Sequence, residues 1–423
     1  MKLFGTSGIR GTYGKEINEE LAFKLGSCLS EKIVGIGMDV RLSCDSLKKN
    51  ILKGLNKVID FGLVPTPVLC FGVSKYAEKG IMITASHCPK EMNGFKLWKN
   101  TGEAIGTEEE EEIEKNLLNC NFNEKKCMLE KKNIFDEYVE NVRSHIGRIN
   151  ADVFVDAGNG AASEIAPKLL HELGVKVSKI NCEYDGNFPT RGPEPNEKTL
   201  EEVRKVTKGK ICFCFDGDAD RLVVIDENGE VADADKFLAL MCKKMIEETG
   251  IKRIVTTIAA SKCVEDFLSK EVEVLRVAVG DRNVADGIKK TNACFGGEPS
   301  GHFIFPEHGL YGDGIYAAAK ILKLLNGKRL ADELAKIDKC PSAKEKINCQ
   351  REMKHKLVEG LEIPRGVLNV NRLDGLLMEY KDALVLVRAS GTEDIIRLNV
   401  EAENEKRVDE LKEFWNNKIR ALI

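Results

Sequence analysis

Gly80-Ile-Met-Ile-Thr-Ala-Ser-His-Cys-Pro89 reads as an apolar strand that stops at a polar bend carrying a serine hydroxyl. Turn chemistry of this kind keeps the backbone rigid and leaves the Ser86 hydroxyl open to a ligand, although a turn serine bonding its own backbone has the same signature. The form recurs along the chain. Strand-like runs at Lys32–Met38, Asp152–Asp156, Lys210–Phe215, Arg253–Ile258 and Glu273–Val279 alternate with helical stretches such as Ser46–Phe61 and Ala161–Leu173. This alternation predicts an α/β architecture with mostly parallel or mixed sheets. Three blocks each end a strand in a polar or glycine-rich loop, at Ser86, Asp216 and Glu298, which predicts three related α/β units. Near Cys340-Pro341 the rhythm breaks, and the remaining residues predict a smaller α+β unit ending in a helix over Glu403–Leu422. The expected domains are 1–135, 136–232, 233–339 and 340–423.

A chain of 423 residues with 43% hydrophobic content has length for several buried cores. Its 64 basic and 68 acidic side chains leave a net charge of −4, so no global field draws in nucleic acid or an anionic membrane, and phosphate binding has to be local. No stretch approaches the ~20 apolar residues that cross a bilayer. The 14 cysteines are scattered, with no CxxC pair and no signal peptide ahead of them, and read as reduced, buried thiols of a cytoplasmic protein. Cys212 and Cys214 alternate on one strand face, and no second pair at ligand spacing completes a metal site. The acidic run Glu108–Glu112 after Thr107 reads as a capped, solvated helix start, and Asp136–Ile146 as a connecting helix. The Gly- and Pro-rich segment Asp185–Pro195 reads as a long ordered loop.

Three stretches carry chemistry. Asp216-Gly-Asp-Ala-Asp-Arg221 follows a strand, and its carboxylates at i, i+2 and i+4 on a tight loop are the hard oxygen ligands that suit Mg²⁺. A calcium-binding EF-hand has similar acid spacing, with Glu227 at the twelfth position, but Arg221 replaces the glycine its bend requires. A phosphatase that uses Asp216 as nucleophile is the other reading of an acidic motif after a strand. Gly296-Gly-Glu-Pro-Ser-Gly-His302 offers Glu298 and Ser300 to sugar hydroxyls and His302 to proton exchange near neutral pH. Arg388-Ala-Ser-Gly-Thr392, placed after the strand Leu384–Val387 and joined by Arg397, offers guanidiniums, hydroxyls and turn amides to a dianion such as phosphate. Two lesser pieces, Phe4–Gly11 with its cation Arg10 and Asp39-Val-Arg41, read equally as ordinary loops. Asn93-Gly-Phe-Lys96 places an amine near Ser86.

In this order the motifs Phe4–Gly11, Thr84–Pro89, Asp216–Arg221, Gly297–His302 and Arg388–Thr392 resemble those of the α-D-phosphohexomutase family, over essentially the whole chain. The resemblance implies three α/β domains with mixed sheets and a smaller C-terminal α+β domain around a central cleft. It implies that Ser86 carries a phosphoryl group, that Asp216, Asp218 and Asp220 hold one Mg²⁺ with an oxygen of that serine, and that Arg221 orients the transfer. Arg10, His87, Lys96 and His302 match positions that place the phosphoserine or assist proton transfer, with acid and base not assigned. Glu298, Ser300 and Gly301 match sugar-binding positions. Arg388, Ser390, Gly391, Thr392 and Arg397 match the cradle of the phosphate that is not transferred.

The expected reaction moves a phosphoryl group between C6 and C1 of a hexose or hexosamine phosphate, primed by a hexose 1,6-bisphosphate-type activator. Phe4–Gly11, Gly296–His302 and Val279-Gly-Asp-Arg282 lean toward glucosamine phosphate, whereas Pro299 stands where that branch more often has Gln. Phosphomannomutase/phosphoglucomutase activity is the alternative. Expected partners are a small phosphosugar, no nucleic acid and no membrane, in a cytoplasmic monomer or homodimer. One departure from the family pattern is Cys88, where its members commonly have Asn.

Overall fold

The computed structural model describes residues 3–5, 7–119, 123–350, 352–391 and 394–423. They form two compact units, Met1–Ala234 with Ser300–Leu334 and Asp235–Pro299 with Ala335–Ile423. Among the described residues no helix is long and apolar enough to cross a membrane.

The first unit contains two mixed sheets. One is built from β1 (Ile9–Thr12), β2 (Ile33–Met38), β3 (Lys57–Leu63), β4 (Lys79–Ile83), β5 (Met92–Lys99) and β6 (Met128–Lys131), in the spatial order β1-β5-β4-β2-β3-β6. β2 lies parallel to β3 and β4 and is buried along its centre, which is why it reads as an unbroken apolar run rather than an alternating one. β5 runs antiparallel to β4 and to β1, so Lys96 and Arg10 come onto neighbouring strands.

The second sheet orders β7 (Asp152–Asp156), β8 (Lys176–Ile180), β9 (Cys212–Phe215) and β10 (Leu222–Ile225) as β10-β9-β7-β8. β9 and β10 are antiparallel with Phe215 opposite Leu222, so residues 216–221 are the loop of a hairpin. Every residue of β9 is buried, and the Cys212 and Cys214 thiols lie 3.7 Å apart on one face, as the alternation predicts. Residues 185–195 form a loop without helix or strand, as expected.

In the second unit β11 (Arg253–Thr257) is flanked by parallel partners β12 (Glu273–Val277) and β13 (Phe295–Gly297). The two-residue β14 (Phe303–Ile304) belongs to the first unit. An antiparallel sheet closes the second unit, with β15 (Ser342–Asn348), β16 (Asn369–Asn371), β17 (Leu376–Glu379), β18 (Ala383–Ala389) and β19 (Ile395–Ala402) in the order β15-β19-β18-β17-β16. The last helix, Glu405–Arg420, is capped by Asn404 and buries Trp415 in the core of that sheet.

Several expectations are corrected. The helix expected over Ser46–Phe61 is Cys44–Gly54, and residues 57–61 belong to β3. Leu47, Ile51, Leu55 and Val58 keep the 3–4 spacing of a helix face across the real boundary, so the pattern alone does not mark the end. Arg388 lies on β18 rather than after it. The run Glu108–Glu112 opens a helix over Thr107–Asn119, but Glu110 is buried and Glu109 pairs with Lys79 and Lys99, so this face is only partly solvated. Most cysteines are buried or half-buried, but Cys340 is exposed, and the 13 described cysteines are all free.

The helices Glu19–Cys28 and Cys44–Gly54 cross at glycines. A methyl on Gly26 would meet the Ile51 carbonyl oxygen at 2.3 Å, and one on Gly54 would meet the Ser27 nitrogen at 2.4 Å. Gly26→Ala should therefore destabilise the protein by about 1–3 kcal/mol, read as a lower urea midpoint with unchanged slope; an unchanged midpoint would show that the helices separate at no cost.

Candidate active site

The bend after β4 is made by named bonds. Thr84 Oγ1 accepts the Ser86 N–H at 2.8 Å and donates to Asp39 Oδ2 at 2.6 Å, and Ser86 takes a left-handed conformation with φ of 53°. That strained φ costs a non-glycine residue free energy and marks a position held by its surroundings. The Ser86 hydroxyl is not open as the sequence suggests: the residue is 0% exposed, and Oγ donates to Asp216 Oδ2 at 2.7 Å. It turns toward a carboxylate on the β9–β10 hairpin that sequence spacing cannot reveal.

One guanidinium fastens the bend. Arg41 Nη2 donates to the carbonyls of Ser86 (2.8 Å) and Cys88 (2.7 Å), and Nη1 to those of Pro89 (2.7 Å) and Met92 (2.9 Å). Its Nε bonds Asp39 Oδ2 at 3.0 Å, and the whole side chain is buried. Cys88 enters this arrangement through its main chain: its N–H donates to the Ala85 carbonyl at 3.0 Å, and its carbonyl accepts from Arg41. The loop is thus held by backbone atoms and does not draw on an amide side chain at position 88.

Asp216, Asp218 and Asp220 bring carboxylate oxygens within 4.8 Å of one another, all three side chains buried. The hairpin bends through Ala219 with φ of 60°. Burial, with the charges of Asp220 and Asp218, pushes the Asp216 carboxyl up to about 8. Lys96 reaches in from β5, its Nζ 2.6 Å from Asp218 Oδ2 and also paired with Asp220. Burial works against its charge, but the two carboxylates outweigh burial and raise its pKa, so it stands as an ammonium. Burial likewise opposes charge on Asp220, where Lys96 and His302 prevail and hold the carboxyl well below its usual range. Asp218 Oδ1 is buried with no hydrogen-bond partner among the described residues. A buried carboxylate oxygen without a donor, beside two further carboxylates, fits a hard divalent cation.

Around this cluster stand the other expected residues of the first unit. Arg221 donates its N–H to Asp216 Oδ1 at 3.2 Å and its Nε to His302 Nε2 at 3.3 Å. The same His302 nitrogen lies 3.2 Å from Asp220 Oδ1, and Nδ1 lies 3.3 Å from Ser300 Oγ. His87 Nδ1 is 3.4 Å from Ser86 Oγ, and burial together with the charges of Arg221 and Arg10 lowers its pKa, keeping the ring neutral. Arg10 Nε is buried and has no hydrogen-bond partner among the described residues. Ser300 is exposed, and Gly301, at φ of 91°, accepts the Leu222 N–H at 3.0 Å, where a methyl would meet the Leu222 carbonyl oxygen at 2.7 Å.

The second unit gathers a different set. Glu298 is buried and its Oε1 accepts the Gly280 N–H at 3.0 Å. Asp374 Oδ2 accepts the Val279 N–H at 3.0 Å and lies 3.4 Å from Arg388 Nη1. Arg388 stands directly opposite Arg397 across β18 and β19, and burial and the Arg397 charge lower its pKa, with Asp374 opposing. Like charges facing each other on a sheet are unfavourable, and an anion relieves them. Ser390 is buried and Gly391 half-buried; Thr392 lies outside the described residues.

Three residues that organise these sets were not singled out from the sequence as functional. Arg41 stood in a segment that reads as an ordinary loop. Arg191, inside the Gly- and Pro-rich loop, pairs with Asp156 and donates to the Phe215 carbonyl at 2.6 Å, fixing the end of β9 just ahead of Asp216. Asp374 sits at a hairpin turn whose only sequence signal is Asp-Gly. Glu227, the EF-hand candidate, instead accepts the N–H groups of Leu330 (2.9 Å) and Ala331 (3.0 Å), capping a short helix.

Four family profiles match consecutive segments: phosphoglucomutase/phosphomannomutase α/β/α domain I over residues 1–124, domain II over 136–229, domain III over 233–340 and the C-terminal domain over 346–418. The chain belongs to the phosphoglucomutase/phosphomannomutase family, the α-D-phosphohexomutases. It is 38% identical over 440 residues to a phosphoglucosamine mutase of Methanococcus maripaludis, covering 98% of this chain and 97% of that protein. A "probable phosphoglucosamine mutase" of Methanopyrus kandleri is 35% identical over 446 residues, covering 100% and 98%. Among solved structures, a phosphoglucomutase/phosphomannomutase family protein from Burkholderia thailandensis superposes with a TM-score of 0.88 at 27% identity, over 99% of this chain and 97% of that one.

Arg41→Lys keeps the charge and loses the fork, so one amine replaces a guanidinium that reaches four carbonyls. We expect kcat to fall on the order of 100-fold through misplacement of Ser86, with KM changed little, in steady-state assays. A wild-type kcat would remove Arg41 from any role in placing the serine.

Proposed function

We propose that this protein interconverts glucosamine 6-phosphate and glucosamine 1-phosphate by way of a phosphoryl group carried on Ser86. The observation that carries the reading is the bond from the Ser86 hydroxyl to Asp216 at 2.7 Å, which places a strained, backbone-fastened serine on the edge of a buried carboxylate triad. The full-length similarity to phosphoglucosamine mutases supports the choice of hexosamine. No observation favours an aspartyl phosphatase: both carboxyl oxygens of Asp216 are engaged, by Ser86 Oγ and by the Arg221 N–H.

In the first half-reaction the bond from phosphorus to Ser86 Oγ breaks as a bond to a sugar hydroxyl oxygen forms, and the hydroxyl proton leaves to a base. The second half-reaction reverses these changes at the other end of a bisphosphorylated sugar and returns the phosphoryl group to Ser86. Lys96, an ammonium between two carboxylates, has no lone pair to take the proton. A neutral His302 ring has one, on the Nε2 that accepts from Arg221 Nε at 3.3 Å. Arg10, Arg221 and Lys96 oppose the charge of the transferring group, whose transition state asks for alignment and electrostatic compensation above all. One Mg²⁺, held by Asp216, Asp218, Asp220 and an oxygen on Ser86, would supply further charge neutralisation there. His87, neutral and beside Ser86 Oγ, orients the serine.

Glu298, placed by the Gly280 amide, and Ser300 bind sugar hydroxyls, with Gly301 giving the backbone its turn. Arg388 and Arg397, with Ser390, Gly391 and Thr392, hold the phosphate that is not transferred. A hexose 1,6-bisphosphate would charge Ser86 before the first turnover. The proposed division into domains is 1–135, 136–232, 233–339 and 340–423, supported by the profile matches. A cytoplasmic monomer or homodimer, acting on a small phosphosugar, completes the reading and agrees with the free thiols of the described cysteines.

Ser86→Ala should abolish interconversion and leave glucosamine 6-phosphate binding nearly unchanged by calorimetry. In a panel of glucosamine, glucose and mannose phosphates the wild-type protein should turn over the glucosamine pair fastest. Turnover by the Ser86→Ala protein, or equal rates on glucose and mannose phosphates with none on glucosamine phosphate, would reject the proposal.

A further inference from the structure

The helix Thr66–Tyr76 starts between two prolines, Pro65 as its cap residue and Pro67 in its first turn. Neither has a backbone N–H, so Thr66 carries the one main-chain donor of this tripeptide. That donor meets the Asp218 carbonyl at 2.9 Å, and the Thr66 hydroxyl donates to Asp218 Oδ2 at 2.6 Å. Thr66 is 0% exposed, so both groups are committed to one residue 152 positions further along the chain. A solvent-facing or capping role for its hydroxyl is thereby excluded.

The two bonds act on different parts of Asp218. The backbone bond fixes where the hairpin loop passes, next to Ala219 with its left-handed φ of 60°. The hydroxyl bond fixes the rotation of the carboxylate. Oδ2 is taken by Thr66 and Lys96, and Oδ1 is left buried with no hydrogen-bond partner among the described residues. Without Thr66 the carboxylate is free to swing about its Cβ–Cγ bond, and the Lys96 ammonium alone does not choose which oxygen it meets.

We infer that Thr66 is a positioning residue for divalent cation binding, presenting Asp218 Oδ1 to the ion by holding Oδ2 and the loop backbone. The inference rests on the proposed metal role of Asp216, Asp218 and Asp220 and names how this chain orients one of those ligands. Groups that orient metal ligands commonly matter to affinity nearly as much as the ligands do. The rigid Pro65-Thr66-Pro67 start gives the clamp a fixed base.

Mn²⁺ titration of the whole protein, following free ion by electron paramagnetic resonance, tests this without reference to turnover. Thr66→Val, which removes the hydroxyl at nearly constant volume, should weaken Mn²⁺ binding about 10–100-fold. Thr66→Ser, which keeps the hydroxyl, should bind close to wild type. At saturating Mg²⁺ the Thr66→Val protein should recover most of its kcat with an unchanged KM for the sugar phosphate. Should Thr66→Val not fold, Thr66→Ala is read the same way. Wild-type Mn²⁺ affinity in the hydroxyl-free variant, or a Thr66→Ser protein as weak as Thr66→Val, overturns the inference. Asp218→Asn separates the two levels: weakened binding there with none lost in Thr66→Val rejects the clamp alone, whereas wild-type binding in Asp218→Asn rejects the metal reading beneath it.

Discussion

Three carboxylates within 4.8 Å of one another, with little water to screen them, are the constraint around which the first unit is arranged. Such a group is costly unless cations and donors are brought to it, and here they come from far along the chain. Lys96 arrives on β5, the Ser86 hydroxyl on the bend after β4, and the Thr66 hydroxyl at a helix start. The pairing of β9 with β10 closes the carboxylates into one loop, and Arg191 fixes the strand that leads into it. The first sheet of the unit serves the same end. Because β4 and β5 pair antiparallel, the serine bend and the lysine are delivered from adjacent strands.

The same balance bears on the phosphoryl group proposed for Ser86. A phosphoserine adds negative charge beside the carboxylates, which only a strongly cationic surround would tolerate. Arg10, Lys96 and Arg221 provide that surround, and the neutral state of His87 follows in part from two of them. In the second unit the logic is inverted. Arg388 and Arg397 face each other across a sheet, offset by the Asp374 and Glu298 carboxylates near Arg388, and the facing guanidiniums fit the phosphate proposed to be held there.

Much of this was legible in the chain. The strand-then-acid pattern at Asp216 announced a tight loop of converging carboxylates, and the structure closes that loop as the turn of a hairpin. The strands read from apolar runs are present, with boundaries displaced by one or two residues for most of them, whereas strands such as β1, β6 and β16 were not read. What was not legible lies in contacts between distant positions. Arg41 reads as a loop cation until the carbonyls of Ser86, Cys88, Pro89 and Met92 are seen around it. Ser86 reads as exposed because the carboxylate that draws it inward comes from another sheet. The helix end at Gly54 was hidden because the apolar spacing continues into β3, although the backbone turns extended at Leu55. Cys88 reads as a departure within the serine loop, but its bonds in this chain are main-chain ones, so its side chain is not what holds the bend.

Whether Ser86 is the phosphoryl carrier can be read by peptide mass spectrometry of wild-type protein after incubation with glucose 1,6-bisphosphate and Mg²⁺. We expect one phosphate on the peptide containing Ser86, lost when glucosamine 6-phosphate is added. Phosphate on Asp216 in its place, or on no residue at all, would contradict it.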